Sequence, residues 1–188
     1  MKIYIAGAWV EQHTRARPMI AAVRAAGLVV TCDWTQAEGD VCLCGCSKGK
    51  HYGAERNFDG YFGVCRECGP AGCKAFNGIG VGSDSALTPE QRRTFAQADL
   101  DGVLSADIVW LLAANDKGAC GSWVELGAAL AVNAWQKRID ELEGPSGQPI
   151  RIVVSGVKNK RTIFTELADK LFDTDAEALA YIAKEMVK

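Results

Sequence analysis

Hydrophobic and β-branched residues near the start of the chain predict a strand, a helix and a second strand. The run Lys2–Ala6 is β-branched-rich and is followed by a glycine. Over positions 14–26 apolar or small residues recur at helical spacing, and Gly27 ends the pattern. A second β-branched run covers positions 28–32. Such a βαβ unit implies parallel strands joined by a right-handed crossover.

The same alternation returns in the second half of the chain. Thr88 and Pro89 suit the N-cap and the first position of a helix. The near-continuous apolar run at 107–113 predicts a buried central strand. The remaining predicted elements are helices at 89–105, 122–141 and 175–186 and a strand at 150–155. Together they predict an open, Rossmann-like α/β sheet of four or five parallel strands with helices on both faces. Ligands of such sheets bind at the carboxyl ends of the strands.

Positions 36–82 lack this periodicity and are rich in glycine and cysteine. So long a stretch inside a domain needs something to hold it together. Its Cys-x-x-Cys pair and upstream thiols have the spacing of a tetrahedral zinc site, with unligated thiols or a His51 ligand as alternatives. We therefore predict one α/β domain over 1–188, with an insertion at 36–82 ordered by structural zinc. The candidate ligands are Cys42, Cys44, Cys46, Cys65, Cys68 and Cys73.

Composition narrows the function classes. The 188 residues are 48% hydrophobic and 23% charged, as in globular proteins. Twenty-one Lys and Arg against 23 Asp and Glu leave no basic excess for a phosphate backbone, so nucleic acid is not the expected partner. No apolar run approaches the roughly 18 residues of a membrane span, and no secretory signal is recognisable. We expect a cytoplasmic protein, in which clustered thiols are metal ligands rather than disulfides.

Two acidic residues stand out as candidate catalytic groups. Asp99 lies on the apolar stripe of the 89–105 helix, four residues from both Phe95 and Val103. A carboxylate there costs free energy unless it has a partner, such as a nearby arginine, or opens onto a cavity. Glu125 begins the helix after the central strand and so faces the expected binding crevice. With Ser122 as N-cap, Glu125 also fits a capping box, which is a structural device.

Three short motifs resemble the nucleoside 2-deoxyribosyltransferase family, including its deoxynucleoside-monophosphate N-glycosidase branch. The motifs are Ile-Tyr-Ile-Ala-Gly-Ala-Trp at 3–9, Ala-Asp-Leu-Asp-Gly-Val at 98–103 followed by Ala-Asp-Ile-Val at 106–109, and Glu-Leu-Gly-Ala-Ala at 125–129. They occur in the family's order, and Glu125 follows Asp99 by 26 positions, an interval similar to the family's. The resemblance covers roughly residues 1–35 and 88–155.

This resemblance implies a flavodoxin-like fold and an enzyme that cleaves N-glycosidic bonds. Glu125 would be the nucleophile, Asp99 would assist the leaving base, and Tyr4 would lie beside the nucleophile. The substrate would be a (deoxy)nucleoside or its 5′-monophosphate, and a covalent glycosyl-glutamate would be resolved by transfer to another base or by hydrolysis. No organic cofactor is implied. The family's pockets at subunit contacts imply a homodimer or larger homo-oligomer.

Further residues are assigned to substrate binding. Those expected near the base are Gly7, Ala8, Trp9 and Trp34, and those for a 5′-phosphate are Arg15, Arg17 and Ser122. Both arginines also fit solvated surface charges. One rival function is a zinc-ribbon-like module that binds nucleic acid or protein through Lys48, Lys50, Arg56, Arg66 and Lys74. The other is an NAD-type glycohydrolase, which would need the same carboxylates.

Overall fold

A computed structural model describes residues 1–8, 11–36, 89–113, 120–156 and 162–185. The chain divides into two compact units, Met1–Asp33 with Ala98–Lys188, and Trp34–Gln97. The predicted zinc insertion falls in the second unit, and its cysteines lie outside the described residues. Within the described ranges, no helix is long and apolar enough to cross a membrane.

The first unit is built on a parallel sheet, which confirms the α/β prediction. Its five described strands lie in the order β2-β1-β3-β4-β5, and every neighbouring pair is parallel. This order is consistent with a flavodoxin-like fold. The strands are β1 (Lys2–Ala6), β2 (Val29–Val30), β3 (Ile108–Leu112), β4 (Arg151–Ser155) and β5 (Lys170–Phe172).

The middle strands are apolar because both of their faces are covered. β3 is buried at all five positions, and β1 and β4 are each buried at four of five. β1 pairs with β3 so that Tyr4 lies opposite Val109. The core also contains a polar contact, in which Trp110 Nε1 donates to Ser155 Oγ at 2.9 Å. Parallel strands buried on two faces carry such near-continuous hydrophobic runs.

Four described helices flank the sheet: α1 (Arg17–Ala25), α2 (Pro89–Leu104), α3 (Cys120–Glu143) and α4 (Asp175–Glu185). One turn of π-helix, Gln12–Ala16, leads into α1. α1 packs against α4 and β2, whereas α3 packs against β1, β3 and β4. The chain crosses from β1 to β2 in one direction and from β3 to β4 in the other. Right-handed crossovers then place α1 and α3 on opposite faces of the sheet.

The start of α3 differs from the prediction. The helix begins at Cys120, two residues before Ser122, so Ser122 lies inside its first turn rather than at the N-cap. Ser122 is only 2% exposed. The capping signal in the sequence therefore places the start of this helix two residues too late.

Candidate active site

A hydrogen bond between β1 and α3 forms the centre of the site. Tyr4 is fully buried on β1, and its hydroxyl donates to Glu125 Oε1 at 2.8 Å. Glu125 lies near the start of α3 and is 9% exposed. Successive side chains of a strand point to opposite faces, so Tyr4 projects towards α3 while its neighbours in β1 project away from it.

Asp99 joins the same cluster from α2. Its Oδ1 accepts a hydrogen bond from Cys32 Sγ at 3.5 Å. Its charge raises the pKa of both Tyr4 and Glu125, so the three side chains are neighbours. Asp99 and Glu125, from two different helices, thus act on one tyrosine.

Burial changes the acidity of all three groups. It raises the pKa of Glu125 to about 7, against the Tyr4 hydrogen bond, and the charge of Asp99 adds to the rise. Burial also raises the pKa of Asp99, although the hydrogen bond from Cys32 opposes it. The pKa of Tyr4 is raised far above its ordinary value by burial and then by the two carboxylates. Near neutral pH this cluster can hold one carboxylate beside one protonated carboxyl group.

The second oxygen of Glu125 has no partner within the part of the chain that the structure describes. Glu125 Oε2 is buried and accepts no hydrogen bond from any of the described residues. An unsatisfied buried acceptor costs about 1–3 kcal/mol, and native structures rarely retain one without a reason. One oxygen of Glu125 is thus held by Tyr4, and the other is available to a ligand.

A glycine one turn after Asp99 allows α2 to approach the sheet closely. A Cβ atom on Gly102 would lie 2.7 Å from Cys32 Cβ and 2.9 Å from Tyr4 Cδ2. Real Cβ atoms do not come this near to other heavy atoms, so a side chain at this position would push the helix away. The missing side chain of Gly102 therefore brings Asp99 within reach of Tyr4 and Cys32.

Arg15, expected to bind a phosphate, is used inside the protein instead. Its Nε and Nη2 donate to the two oxygens of Asp175 at 2.6 and 2.8 Å. Its Nη1 donates to Glu11 and to the Ala113 carbonyl, and Nη2 also reaches the Ser155 carbonyl. These five contacts match the five N–H donors of a guanidinium group. No N–H donor of Arg15 is left for a substrate phosphate, so the prediction that Arg15 binds a 5′-phosphate is corrected. Arg15 instead connects the segment before α1 to β4 and α4.

The acidity of this ion pair agrees with a structural role. Burial by itself would lower the pKa of Arg15, but hydrogen bonds and charge from Asp175 and Glu11 raise it above the ordinary value. Burial would raise the pKa of Asp175, but hydrogen bonds from Arg15 and Ser155 and the Arg15 charge hold it below the ordinary value. Both groups therefore remain charged at neutral pH.

The other predicted site residues are placed as follows. Gly7 and Ala8 directly follow β1, Ser122 is buried in α3, and Arg17 is half-buried at the start of α1. Trp34 belongs to a short 3-10 turn, Trp34–Gln36, in the other unit. Trp9 and the six candidate zinc ligands lie outside the described residues. Across the described ranges, no group of three or more His, Cys, Asp or Glu side chains could hold a metal ion.

No protein-family model, curated protein or solved structure matches this chain. Its function is therefore inferred from the site's own residues and from the motif resemblance. Sequence reasoning named Tyr4, Asp99 and Glu125, which the structure brings together, but did not name Cys32 and Gly102 as their neighbours. The position of Cys32 at the end of the second predicted strand was the one signal for it, since ligands of parallel sheets bind at that edge.

Proposed function

We propose that this protein cleaves the N-glycosidic bond of a (deoxy)nucleoside or its 5′-monophosphate. The observation that carries the proposal is a buried cluster in which the Tyr4 hydroxyl donates to Glu125 Oε1 and Asp99 lies near enough for its charge to act on both. In this cluster Glu125 Oε2 has no partner among the described residues. A carboxylate nucleophile beside a carboxylic acid is the pair that retaining glycosidic cleavage needs. The resemblance to nucleoside 2-deoxyribosyltransferases assigns the same roles to the same residues.

In the first step, Glu125 Oε2 forms a bond to the anomeric carbon C1′ as the bond from C1′ to the base nitrogen breaks. The electron pair of that bond passes to the base, and a proton from the Asp99 carboxyl group neutralises it. The products are the free base, a glycosyl ester on Glu125 and the Asp99 carboxylate. Covalent capture stabilises a sugar that has developed oxocarbenium character.

In the second step, an incoming base or a water molecule attacks C1′ from the opposite side. Asp99 takes the proton that this nucleophile loses, and Glu125 leaves as a carboxylate. Tyr4 keeps Glu125 Oε1 hydrogen-bonded throughout, so Oε2 remains the reacting atom. Attack by a base gives transfer, and attack by water gives hydrolysis.

Burial couples the protonation of the two carboxyl groups. It raises the pKa of Asp99, which favours the protonated form that a leaving base needs. Glu125 becomes a carboxylate, the form that a nucleophile needs, as pH rises through about 7. The Asp99 charge contributes to that pKa, so a proton on Asp99 favours the ionised form of Glu125.

Zinc in the cysteine-rich insertion is proposed as a structural ion, with the chemistry assigned to the carboxyl groups alone. The proposal also includes a homodimer or larger assembly, by resemblance to the family. The residues proposed to contact the base or a 5′-phosphate are Gly7, Ala8, Trp9, Trp34, Arg17 and Ser122.

The test is a substrate screen with matched variants. Purified protein is incubated with deoxyadenosine, its 5′-monophosphate and NAD, and released base is measured by chromatography with and without an acceptor base. We expect Glu125→Ala to lower kcat at least about a thousandfold, as loss of a covalent nucleophile does. Glu141→Ala, an exposed change on the same helix, is the control. Equal activity in the wild type and the Glu125 variant would remove the proposed nucleophile.

The screen also separates the rival functions. Release of nicotinamide without cleavage of nucleosides would indicate an NAD-type glycohydrolase. A nucleic-acid-binding module would show no base release and would shift a labelled oligonucleotide with strong salt dependence. The basic residues proposed for such a module lie outside the described part of the chain.

A further inference from the structure

Cys32 lies against the acid of the proposed site. It lies two residues after the end of β2, and its thiol is 3.5 Å from Asp99 Oδ1, within reach of a sulfur hydrogen bond. Burial and then the negative charge of Asp99 raise the pKa of Cys32 to about 12. The side chain is therefore a neutral S–H donor at neutral pH and not a thiolate nucleophile.

Packing keeps Cys32 in this position. Its Cβ lies where a side chain at Gly102 would collide with it, so the thiol rests on the turn of α2 that carries Asp99. The cluster also contains an oxygen that could contact a ligand, because Glu125 Oε2 is buried without a partner among the described residues. Cys32 thus touches the acid of the same cluster that holds the unpaired oxygen.

We propose that Cys32 is a positioning residue for the cleavage reaction. Its thiol donates to Asp99 Oδ1, so that oxygen acts as the carbonyl oxygen of the neutral acid. The transferable proton is thereby directed to Oδ2, where it serves the leaving base. This inference rests on the proposed function, since it assigns a geometry to the acid of that reaction.

The strength of the hydrogen bond that the residue at position 32 donates should affect the pKa of Asp99. Hydrogen bonds to the charged form of a carboxyl group lower its pKa, and a thiol donates more weakly than a hydroxyl group. The other groups facing Asp99 are the Tyr4 hydroxyl from β1 and the Glu125 carboxyl group from α3, with Asp33 acting on Cys32. Because these remain in place, the Asp99 pKa should fall in Cys32→Ser and rise in Cys32→Ala.

The first measurement does not depend on activity. Carbon-13 NMR of labelled aspartate follows the Asp99 carboxyl group through a pH titration in the full-length wild type and both variants, with Asp99→Asn used to assign the signal. We expect the Asp99 pKa to increase in the order Cys32→Ser, wild type, Cys32→Ala. An identical Asp99 pKa in all three proteins overturns the proposal.

The second measurement compares two leaving groups. Guanine leaving from deoxyguanosine needs a proton, whereas 7-methylguanine leaves 7-methyldeoxyguanosine without one because the purine is already cationic. We expect Cys32→Ala to lower kcat about tenfold on deoxyguanosine, a part of the 10²–10⁴-fold that general acid catalysis contributes. The methylated substrate should be cleaved at the wild-type rate, and Cys32→Ser should restore most of the activity on deoxyguanosine.

These outcomes separate the two proposals. Equal losses on both substrates would mean that Cys32 only supports the fold, which contradicts the positioning role. If the pKa order is found but no protein, wild type included, cleaves either substrate, the hydrogen bond stands and the proposed function fails together with the role of Cys32 in it. Selective loss on deoxyguanosine together with the pKa order supports both proposals.

Discussion

The Tyr4 hydroxyl and Glu125 Oε1 are 2.8 Å apart, although 121 positions of sequence separate the two residues. The bond joins the first strand of the sheet to the helix after the central strand. It satisfies one oxygen of a buried carboxyl group and leaves the other without a partner in the described structure. Loss of this bond, or of the packing that supports it, should therefore have measurable consequences for both activity and stability.

Tyr4→Phe should move the pH dependence of activity upward. The Tyr4 hydrogen bond holds down the pKa of Glu125, which burial raises to about 7, so its loss raises that pKa further. The acidic limb of kcat/KM should move to higher pH, and a move of one pH unit from about 7 should lower activity at pH 7 about fivefold. The measurement is a pH profile with deoxyadenosine. Tyr181→Phe, at a ring whose centroid lies 5.4 Å from that of Phe172, is the control and should leave the limb unchanged.

Glu125→Gln should stabilise the fold at alkaline pH while it abolishes activity. The folded-state pKa of Glu125 is raised from 4.5 to about 7, so the folded state binds its proton more tightly than the unfolded state. Below pH 4.5 the protonated Glu125 makes its full contribution to the free energy of unfolding of the wild type. This contribution is lost as pH rises through about 7. A neutral glutamine avoids that loss, which we expect to amount to about 3 kcal/mol at pH 8.

Urea unfolding of both proteins at pH 4.5 and pH 8 checks this result. The difference in free energy of unfolding should be small at the lower pH and should favour the variant at the higher pH. Glu141→Gln, exposed on the same helix, should show no such pH dependence. A glutamine variant that is less stable than the wild type at pH 8 would contradict the raised pKa.

Gly102→Ala should damage both stability and activity. The new methyl group would lie 2.7 Å from Cys32 Cβ, so α2 must move away and carry Asp99 with it. Overpacking of this kind costs about 1–3 kcal/mol. Gly127→Ala is the matched control, because nothing lies within 4 Å of its added Cβ and alanine favours a helix by about 1 kcal/mol. Thermal unfolding should rank Gly127→Ala above the wild type and Gly102→Ala below it.

Arg15→Met should destabilise the fold much more than Arg24→Met. Arg15 is 17% exposed and its removal leaves the Asp175 carboxylate partly buried without its cation, which costs about 3 kcal/mol. Arg24 is 50% exposed in its pair with Asp33, so its loss should cost under about 1 kcal/mol. Similar losses in the two variants, measured by urea unfolding at pH 7, would show that the Arg15 contacts contribute little.

The ion pair between Arg15 and Asp175 should also make the stability of the fold depend on pH in the acidic range. Asp175 has its pKa lowered in the fold, so its contribution is present above the ordinary carboxyl pKa and is lost as pH falls through the folded-state value. The stability gap between the wild type and Arg15→Met should therefore narrow in acid. Urea unfolding of both proteins at pH 7 and pH 3 measures this change.

Zinc should copurify with the protein. The six clustered cysteines outside the described residues have the spacing of a structural site, and such sites bind tightly. Protein purified without added metal should contain about one equivalent or more, and metal analysis below about 0.3 equivalents would refute the site. Cys120→Ser, outside the cluster, should leave the zinc content unchanged.

Much of the fold was predictable because central parallel strands carry a strong signal. β1, β3 and β4 are apolar runs buried on both faces, and each was predicted close to its observed bounds. The edge strand β5 has only three residues, none of them fully buried, and no hydrophobic run in the sequence predicts it. Its existence depends on hydrogen bonds to β4, which local sequence does not encode.

The sequence by itself determined the parallel α/β frame, because the period of apolar residues specifies each element and the face it buries. It also singled out Tyr4, Asp99 and Glu125 as candidates. Only the tertiary structure decided which polar groups meet: it placed Cys32 on Asp99 and directed every donor of Arg15 inward. The reason is physical, since a side chain's hydrogen-bond partners come from distant segments whose positions follow from packing the whole core.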